Sequence, residues 1–281
     1  MSNAPIEGEK QIFSWINKQG IMWKFKFYGF FKNLKFFEPY LIIIFLAWEI
    51  NLFQIGILIA IQEMVTFIFE VPSGMLADTR GKKTELLYCF IFYILSFIFY
   101  FMGPTYIFLI FGAMLFGLGE AFRSGTHKAM EMKWMEKNGI LQYKSFVYGT
   151  TRSYSLYGSA ISSVLSIIFI LNIPTSRWIF LITIIPYVID FVLIATYPSY
   201  MNEHSPKKGS YWKDFIAAFK GLKIVVTDNR LRKGLLSTSF YDGIYKSLKD
   251  YIQPIIKLFI TILLVDFAIT ITPLSLSLIH I

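Results

Sequence analysis

The stretch that decides the fold is residues 52–102, LFQIGILIAIQEMVTFIFEVPSGMLADTRGKKTELLYCFIFYILSFIFYFM. It consists of two apolar runs separated by a short glycine-containing, charged segment, GMLADTRGKK, at residues 74–83. The hydrocarbon core of a bilayer requires about 20 mostly apolar residues per helix. The stretch therefore predicts two membrane helices joined by a tight polar turn.

The composition of the whole chain agrees with this pattern. Its 281 residues are 55% hydrophobic, 19% aromatic and 16% charged, with a mean hydropathy of +0.54. A soluble domain carries about 25% charged residues, so an ordinary cytosolic enzyme, a disordered chain and a collagen-like chain are excluded. The single cysteine, Cys89, removes an internal disulfide framework and a thiolate zinc site. The three histidines are far apart, and we expect neither a metal nor another cofactor.

Apolar runs of spanning length recur along the chain, and they predict an all-α polytopic membrane protein. The first is the least apolar, because Lys32, Lys35 and Glu38 lie in or near it; its two lysines can extend to the interface. A last apolar stretch begins at about residue 258. The predicted spans are about 30–47, 52–73, 84–102, 105–122, 146–171, 177–197 and 232–254.

The distribution of positive charge predicts the topology. The formal net charge is +9, and most of the 27 Lys and Arg residues fall in alternate gaps between the spans, on the side of the N-terminus. Such an excess marks the cytoplasmic side, so we expect a multi-pass protein of the cytoplasmic (inner) membrane with a cytoplasmic N-terminus. A nucleic-acid surface would instead need a basic stripe on a soluble fold, and we expect no nucleic-acid partner.

The segment after the second span carries a family resemblance. Gly74, Asp78, Arg80, Gly81 and the pair Lys82-Lys83 follow one another there. This segment resembles the signature between helices two and three of the major facilitator superfamily. Residues 117–125, GLGEAFRSG, look like the end of helix four in many bacterial members, and residues 249–254, KDYIQP, resemble a helix-seven segment.

The resemblance implies a fold and a mechanism. It implies the six-helix N-terminal half of a major-facilitator fold plus one or two helices of the second half. It also implies that Gly74, Asp78, Arg80, Gly81, Lys82 and Lys83 form a gating loop, which holds the two halves together when the substrate site opens outward. Thr84 is a candidate N-cap for the following helix. This chain has Thr79 where the family usually has a basic residue. The alternative interpretation of the lysines is that they only set the membrane topology.

The sequence departs from three motifs of known function: a phosphate-binding loop, a helix-four arginine and a Gly-Pro pair. Residues 74–84 end in Gly-Lys-Lys-Thr, but the spacing is wrong for a phosphate-binding loop and the segment follows a membrane helix. Ala113 stands where many family members have a helix-four arginine, and no Gly-Pro pair occurs between Phe146 and Leu171. Both differences disfavour proton-coupled drug antiport.

Ionisable residues inside predicted spans are candidates for function, since they are costly at membrane depth. Glu63 and Asp190 are candidate cavity residues for a substrate or ion, and a structural hydrogen-bonded or ion-paired role is the alternative for Glu63. Asp242 and Lys246, in helix seven, either face an aqueous pathway or form surface pairs. Four further residues are candidates for internal ion pairs: Glu70, Glu120, Arg123 and Arg152.

Small residues recur every four positions in two spans. Ala113, Gly117, Ala121 and Gly125 form one series. The serines at 155, 159 and 163 form another. Small residues at this spacing allow helices to approach closely in lipid, so both series predict helix packing and not a ligand site.

The predicted organisation separates the chain into five parts. The last of these resembles translated sequencing-adaptor sequence, and the superfamily has twelve spans, so we expect the chain to be an N-terminal fragment with a non-native tail. The parts are a cytoplasmic N-terminal segment (1–27), a six-helix bundle (28–197), a cytoplasmic linker (198–231), the start of a second bundle (232–271) and the tail (272–281).

The expected function is secondary active transport of a small molecule by alternating access. We expect the substrate to be a drug-like compound that is moved out of the cell. We expect lipid and an unidentified substrate as partners, a coupling ion as a further one, and a monomeric full-length protein. The alternatives are a non-transporting scaffold or sensor that acts through the basic linker, and a membrane-embedded lipid enzyme, for which the sequence offers no catalytic cluster.

Overall fold

A computed structural model describes residues 7–202 and a set of positions beyond them, namely 227–230, 232–234, 237, 241, 244, 245, 248, 251, 252, 255 and 259. Throughout these residues the regular structure is helical, without a strand. Three short 3₁₀ turns, at Glu38–Tyr40, Leu141–Tyr143 and Ser199–Asn202, accompany the α-helices. Between residues 7 and 202 the α-helices are α1 Glu7–Lys18, α2 Gly20–Lys32, α3 Leu41–Ala47, α4 Leu52–Arg80, α5 Lys82–Met102, α6 Tyr106–Arg123, α7 Thr126–Lys137, α8 Lys144–Asn172 and α9 Trp178–Ala195.

Five segments of the described chain are long and apolar enough to cross a membrane. They include most of α4 and the whole of α5, α6, α8 and α9, and each overlaps one of the predicted spans. The all-α membrane class predicted from composition is therefore confirmed. The segments are Leu52–Glu70, Lys82–Met102, Tyr106–Lys137, Leu141–Asn172 and Trp178–Ala195.

The first predicted span differs from the structure. A continuous helix over 30–47 is wrong, because α2 ends at Lys32 and α3 begins only at Leu41. Pro39 explains part of the break: it lacks an N–H donor and disfavours helical geometry at the residue before it. Helix α2 also begins at Gly20, so the predicted boundary between residues 27 and 28 falls inside it.

The connection between α4 and α5 is shorter than predicted. Helix α4 begins with a capping box between Asn51 and Gln54 and continues through Gly74 and Asp78 to Arg80. Residues 74–80 are therefore helical and not a loop. The turn is made by Gly81 alone, whose φ of 94° lies in the region that favours glycine.

The membrane-length helices and α2 pack in a definite spatial order. The most extensive contacts run from α4 to α6, then to α5, α9, α2 and α8. Helices α4 and α8 are thus the two ends of the series, and both expose wide apolar faces. Aromatic side chains fill the centre; the Tyr187 ring lies 5.3 Å from the Tyr93 ring and 4.9 Å from the Phe97 ring, centroid to centroid.

The predicted packing of small residues is correct for Ala113, Gly117 and Ala121 of α6, but it is wrong for Gly125 and for two of the three α8 serines. Gly117 lies against the backbone of Gln62 and brings α4 close to α6, but Gly125 is a left-handed turn residue between α6 and α7. In α8, Ser159 and Ser163 are exposed and donate to carbonyls of their own helix. The buried face of α8 is instead formed by Val147, Thr151, Gly158, Ser162 and Ser166.

Replacing Gly158 with alanine should destabilise the α2–α8 contact. A Cβ at this position would collide with the backbone carbonyl of Phe30, which has no side-chain freedom to move away. Overpacking of this kind costs about 1–3 kcal/mol, so the melting temperature of Gly158→Ala in detergent should fall by several degrees.

Gly149→Ala is the matched control, because Gly149 lies on the same helix and no atom lies within 4 Å of the position that a Cβ would take there. Alanine should stabilise this site by up to about 1 kcal/mol through helix propensity. Equal melting temperatures for the two variants would contradict the close approach of α2 and α8.

Candidate functional site

Glu120 is the centre of a partly buried charge cluster near the end of α6. Its Oε1 accepts a hydrogen bond from the Tyr93 hydroxyl at 2.8 Å, and its Oε2 accepts hydrogen bonds from the Arg123 guanidinium. The Lys35 ammonium lies 3.8 Å from Oε1. The carboxylate therefore links α5, α6 and the segment between α2 and α3, and two cations share one negative charge.

The structure brings together only some of the ion-pair candidates. Glu120 and Arg123 are paired, but Glu70 is exposed and accepts a hydrogen bond from the Ser124 hydroxyl at 2.6 Å. Arg152 is exposed on α8 and has no ion-pair partner within the described part of the chain. Lys35 was missed as a member of the cluster, because sequence spacing does not show which side chains meet across helices.

A cavity of about 360 Å³ lies beside this cluster. Its walls are α2, the first turns of α8, the turn between α6 and α7, and the first turns of α7. The contributions of α2 and α8 each follow an i, i+3, i+4, i+7 pattern, which is one face of a helix. The lining residues are Phe25, Tyr28, Gly29, Lys32, Arg123, Ser124, Gly125, His127, Lys128, Glu131, Tyr148, Thr151, Arg152 and Ser155.

His127 and Glu131 form a buried polar group at the wall of the cavity. Nδ1 of His127 lies 3.4 Å from Glu131 Oε1, and Nε2 lies 3.1 Å from the Tyr197 hydroxyl. The His127 ring also stacks on the Tyr28 ring, with 3.7 Å between centroids. Sequence analysis missed this group; the i, i+4 spacing of His127 and Glu131 was the available signal. No metal-binding group of three His, Cys, Asp or Glu side chains occurs among the described residues.

The predicted gating residues surround the α4–α5 turn. Asp78 and Arg80 are exposed, and within the described residues neither they nor Lys82 has a hydrogen-bond or ion-pair partner. Lys83 differs, because its ammonium donates to the carbonyls of Ala195 at 2.7 Å and Tyr197 at 2.9 Å. It therefore caps the C-terminal end of α9.

Asn202 binds the start of α5 from outside that helix. Its side-chain oxygen accepts hydrogen bonds from the Thr84 backbone N–H at 3.1 Å and from the Thr84 hydroxyl at 3.2 Å. The expectation that Thr84 is the N-cap is wrong: α5 begins at Lys82, and Thr84 is the donor and not the acceptor. A long-range side chain supplies the cap that the local sequence lacks.

The candidate cavity residues occupy different environments. Glu63 is exposed on α4, whereas Thr66 donates to the Gly117 carbonyl at 3.1 Å and so faces α6. Asp190 is fully buried in α9, and neither of its carboxylate oxygens has a hydrogen-bond partner among the described residues. Asp242 and Lys246 lie outside the described residues.

Glu85, a further buried acid, was also missed. It lies in the first turn of α5 with 1% of its surface exposed, and its Oε2 accepts a hydrogen bond from the Thr126 hydroxyl at 3.0 Å. Its position three residues after Lys82 places it directly beside the predicted gating segment. The bond joins the start of α5 to the start of α7.

The comparison with known protein families agrees with this helical architecture and its signature turn. The profile of the Major Facilitator Superfamily matches residues 29–280. The chain belongs to the Major Facilitator Superfamily. It is therefore a multi-pass membrane protein of a transporter family, and membership points to transport and not to an enzyme.

Two curated relatives of this superfamily member carry transporter names. A Bacillus subtilis (strain 168) protein named "Uncharacterized MFS-type transporter YxaM" is 25% identical over 234 residues, which cover 79% of this chain and 54% of that protein. The Escherichia coli protein named "Sucrose permease" is 29% identical over 129 residues, covering 41% of this chain and 28% of that protein. The aligned part of the chain thus spans about half the length of the first relative, and less of the second.

Glu120→Gln should destabilise this superfamily member, because it leaves Lys35 and Arg123 without a carboxylate. Loss of charged hydrogen bonds at a partly buried site costs about 1–3 kcal/mol, so we expect a lower melting temperature in detergent. Glu136→Gln, at an exposed position on α7, is the control and should not change it. If the charges are coupled, Glu120→Gln combined with Arg123→Gln should destabilise less than the sum of the two single changes.

Lys83→Gln should weaken the attachment of the α4–α5 turn to α9. The variant loses a cationic donor to two helix-terminal carbonyls, which we expect to cost about 1 kcal/mol. Lys82→Gln is the matched control, since it removes the same charge one residue earlier without a hydrogen bond of this kind. Equal melting temperatures for the two variants would show that the capping bonds add no stability.

Proposed function

We propose that the complete protein is a secondary active transporter that works by alternating access, and that this chain supplies its N-terminal half. The superfamily match over residues 29–280 carries the proposal. The spatial order of the helices supports it, because α4 and α8 end the series and expose large apolar side chains. Phe53, Met64 and Phe67 on α4, and Val164 and Leu171 on α8, are among these side chains. A second bundle and lipid would cover them.

The proposed orientation places the N-terminus and the α4–α5 turn in the cytoplasm. The basic residues of the N-terminal region, this turn and the region after α9 are all on one side of the predicted spans. Positive charge concentrates on the cytoplasmic side of membrane proteins. The cytoplasmic membrane is accordingly the proposed location.

We assign different roles in gating to the charged residues at the α4–α5 turn. Asp78, Arg80 and Lys82 are not engaged by the described residues, which leaves them available to contact the second half when the site opens outward. Lys83 already donates hydrogen bonds to the end of α9, so its proposed role is to hold the α4–α5 turn against α9. Gly81 provides the sharp change of direction, and Gly74 lies within α4.

Asp190 is the proposed site of ion coupling in this half. A carboxyl group buried in a membrane helix without a hydrogen-bond partner favours its neutral form, and it exchanges a proton or cation only when the conformation exposes it. Glu63, Asp242 and Lys246 remain proposed contributors to the substrate pathway. The proposed cargo is a drug-like small molecule moved outward.

A flux measurement tests this proposal. The full-length protein in proteoliposomes should move a lipophilic dye when an ion gradient is imposed. Asp190→Asn and Asp78→Asn should each lower the rate at least about tenfold, because they remove coupling and gating charges. Vesicles with the 281-residue chain should show no saturable uptake.

The control for these variants is Glu136→Gln, which should leave the flux unchanged. Saturable uptake by the 281-residue chain alone would contradict the assignment of this chain as one half. Flux that is unaffected by neutralising Glu63, Asp78 and Asp190 would contradict the roles proposed for these residues, and a full-length protein without any flux would favour the scaffold or sensor alternative.

A further inference from the structure

The cavity between α2, α8 and the α6–α7 turn has an excess of positive charge. Lys32, Arg123, Lys128 and Arg152 line it, against a single acid, Glu131. Arg123 shares its carboxylate, Glu120, with Lys35. Lys32, Lys128 and Arg152 have no ion-pair partner in the described part of the chain. Within the described part of the chain, ion pairs therefore do not balance the basic side chains of this cavity.

The single acid of the cavity does not supply that balance. Glu131 is 2% exposed and lies beside His127 on its own helix. Two of the cations, Lys128 and Arg152, are by contrast exposed at the rim. A ligand that enters from the rim therefore meets cations before it meets the acid, which disfavours a cationic ligand.

The remaining walls of the cavity suit an organic body. Phe25, Tyr28 and Tyr148 contribute aromatic rings, and the volume of about 360 Å³ falls within the range of about 300–1,000 Å³ that holds small-molecule ligands. Guanidinium groups bind carboxylates and phosphates through paired hydrogen bonds. Arg123 and Arg152 contribute two such groups to the walls.

From these observations we infer that this cavity binds an organic anion, through a carboxylate or phosphate placed among Lys32, Arg123 and Arg152 with its apolar body against the aromatic rings. The inference rests on the proposed transport function, for which it narrows the substrate class from drug-like molecules in general to anions. The same chemistry can come from a soluble substrate or from an anionic lipid headgroup.

Direct binding to the 281-residue chain tests the inference. The chain is placed in nanodiscs of phosphatidylcholine, and binding of tritiated 2-naphthoate is measured by equilibrium dialysis against empty nanodiscs. We expect saturable binding that weakens as salt is raised. 2-Naphthamide, which has nearly the same shape without the charge, should bind at least about tenfold more weakly.

Arg152→Gln should weaken naphthoate binding about tenfold, and Arg152→Lys should restore part of it. Lys144→Gln is the matched control: it removes one positive charge from the same helix at a position that does not line the cavity. Arg152 has no described ion-pair partner, so its replacement should not lower the melting temperature, which is measured alongside.

Nanodiscs that contain phosphatidylglycerol separate the two sources of the anion. If this lipid competes with naphthoate for the wild-type chain, and Arg152→Gln removes the competition, the occupant is a headgroup; if it does not compete, the occupant is a soluble organic anion. Equal binding of 2-naphthamide and 2-naphthoate, or equal effects of Arg152→Gln and Lys144→Gln, would overturn the inference.

Failure of the anion-binding inference can be distinguished from failure of the transport proposal. Binding that is lost in Arg152→Gln while the full-length protein shows no flux would leave the anion site standing and overturn only the transport function. Flux in the full-length protein without charge-dependent binding to this chain would overturn the anion site and leave the transport function standing.

Discussion

The carboxylate of Glu120 is the interaction on which the interior of the bundle depends. It accepts hydrogen bonds from Tyr93 on α5 and Arg123 on α6, and it attracts Lys35 from the break between α2 and α3. A charge in this setting is tolerated because its partners offset the cost of removing it from water. The same pairing orients Arg123 beside the cavity, so the electrostatics of the candidate site begin with this group.

Close backbone approach is the second constraint on the bundle. Lipid offers no hydrophobic advantage for bringing helices together, so packing and short polar contacts must do it. Gly158 brings α8 against Phe30 of α2, and Gly117 brings α6 against α4, where Thr66 adds a hydrogen bond to the Gly117 carbonyl. The cavity lies where α2 and α8 face α7, so its width depends on the Gly158 contact.

The charged residues of the α4–α5 turn have two different environments. Gly81 turns the chain within one residue, Lys83 binds the end of α9, and Asn202 caps α5. These contacts fix the turn to α5 and to the end of α9. The exposed charges of Asp78 and Arg80 are carried on this anchored turn, and the gating proposal assigns the contact with a second bundle to them.

The sequence by itself determined the membrane class, the positions of five spanning helices and the family, because apolar length and local turn residues are properties of contiguous segments. It did not show the break at 33–40 or the helical state of residues 74–80, where a proline and a continued helix decide against the hydropathy pattern. Only the tertiary structure brought Lys35 to Glu120, His127 to Tyr197, and Lys32 and Arg152 to one cavity. Those partners are far apart in the chain, and which helix face meets which is decided by packing, a non-local property that spacing along the sequence does not encode.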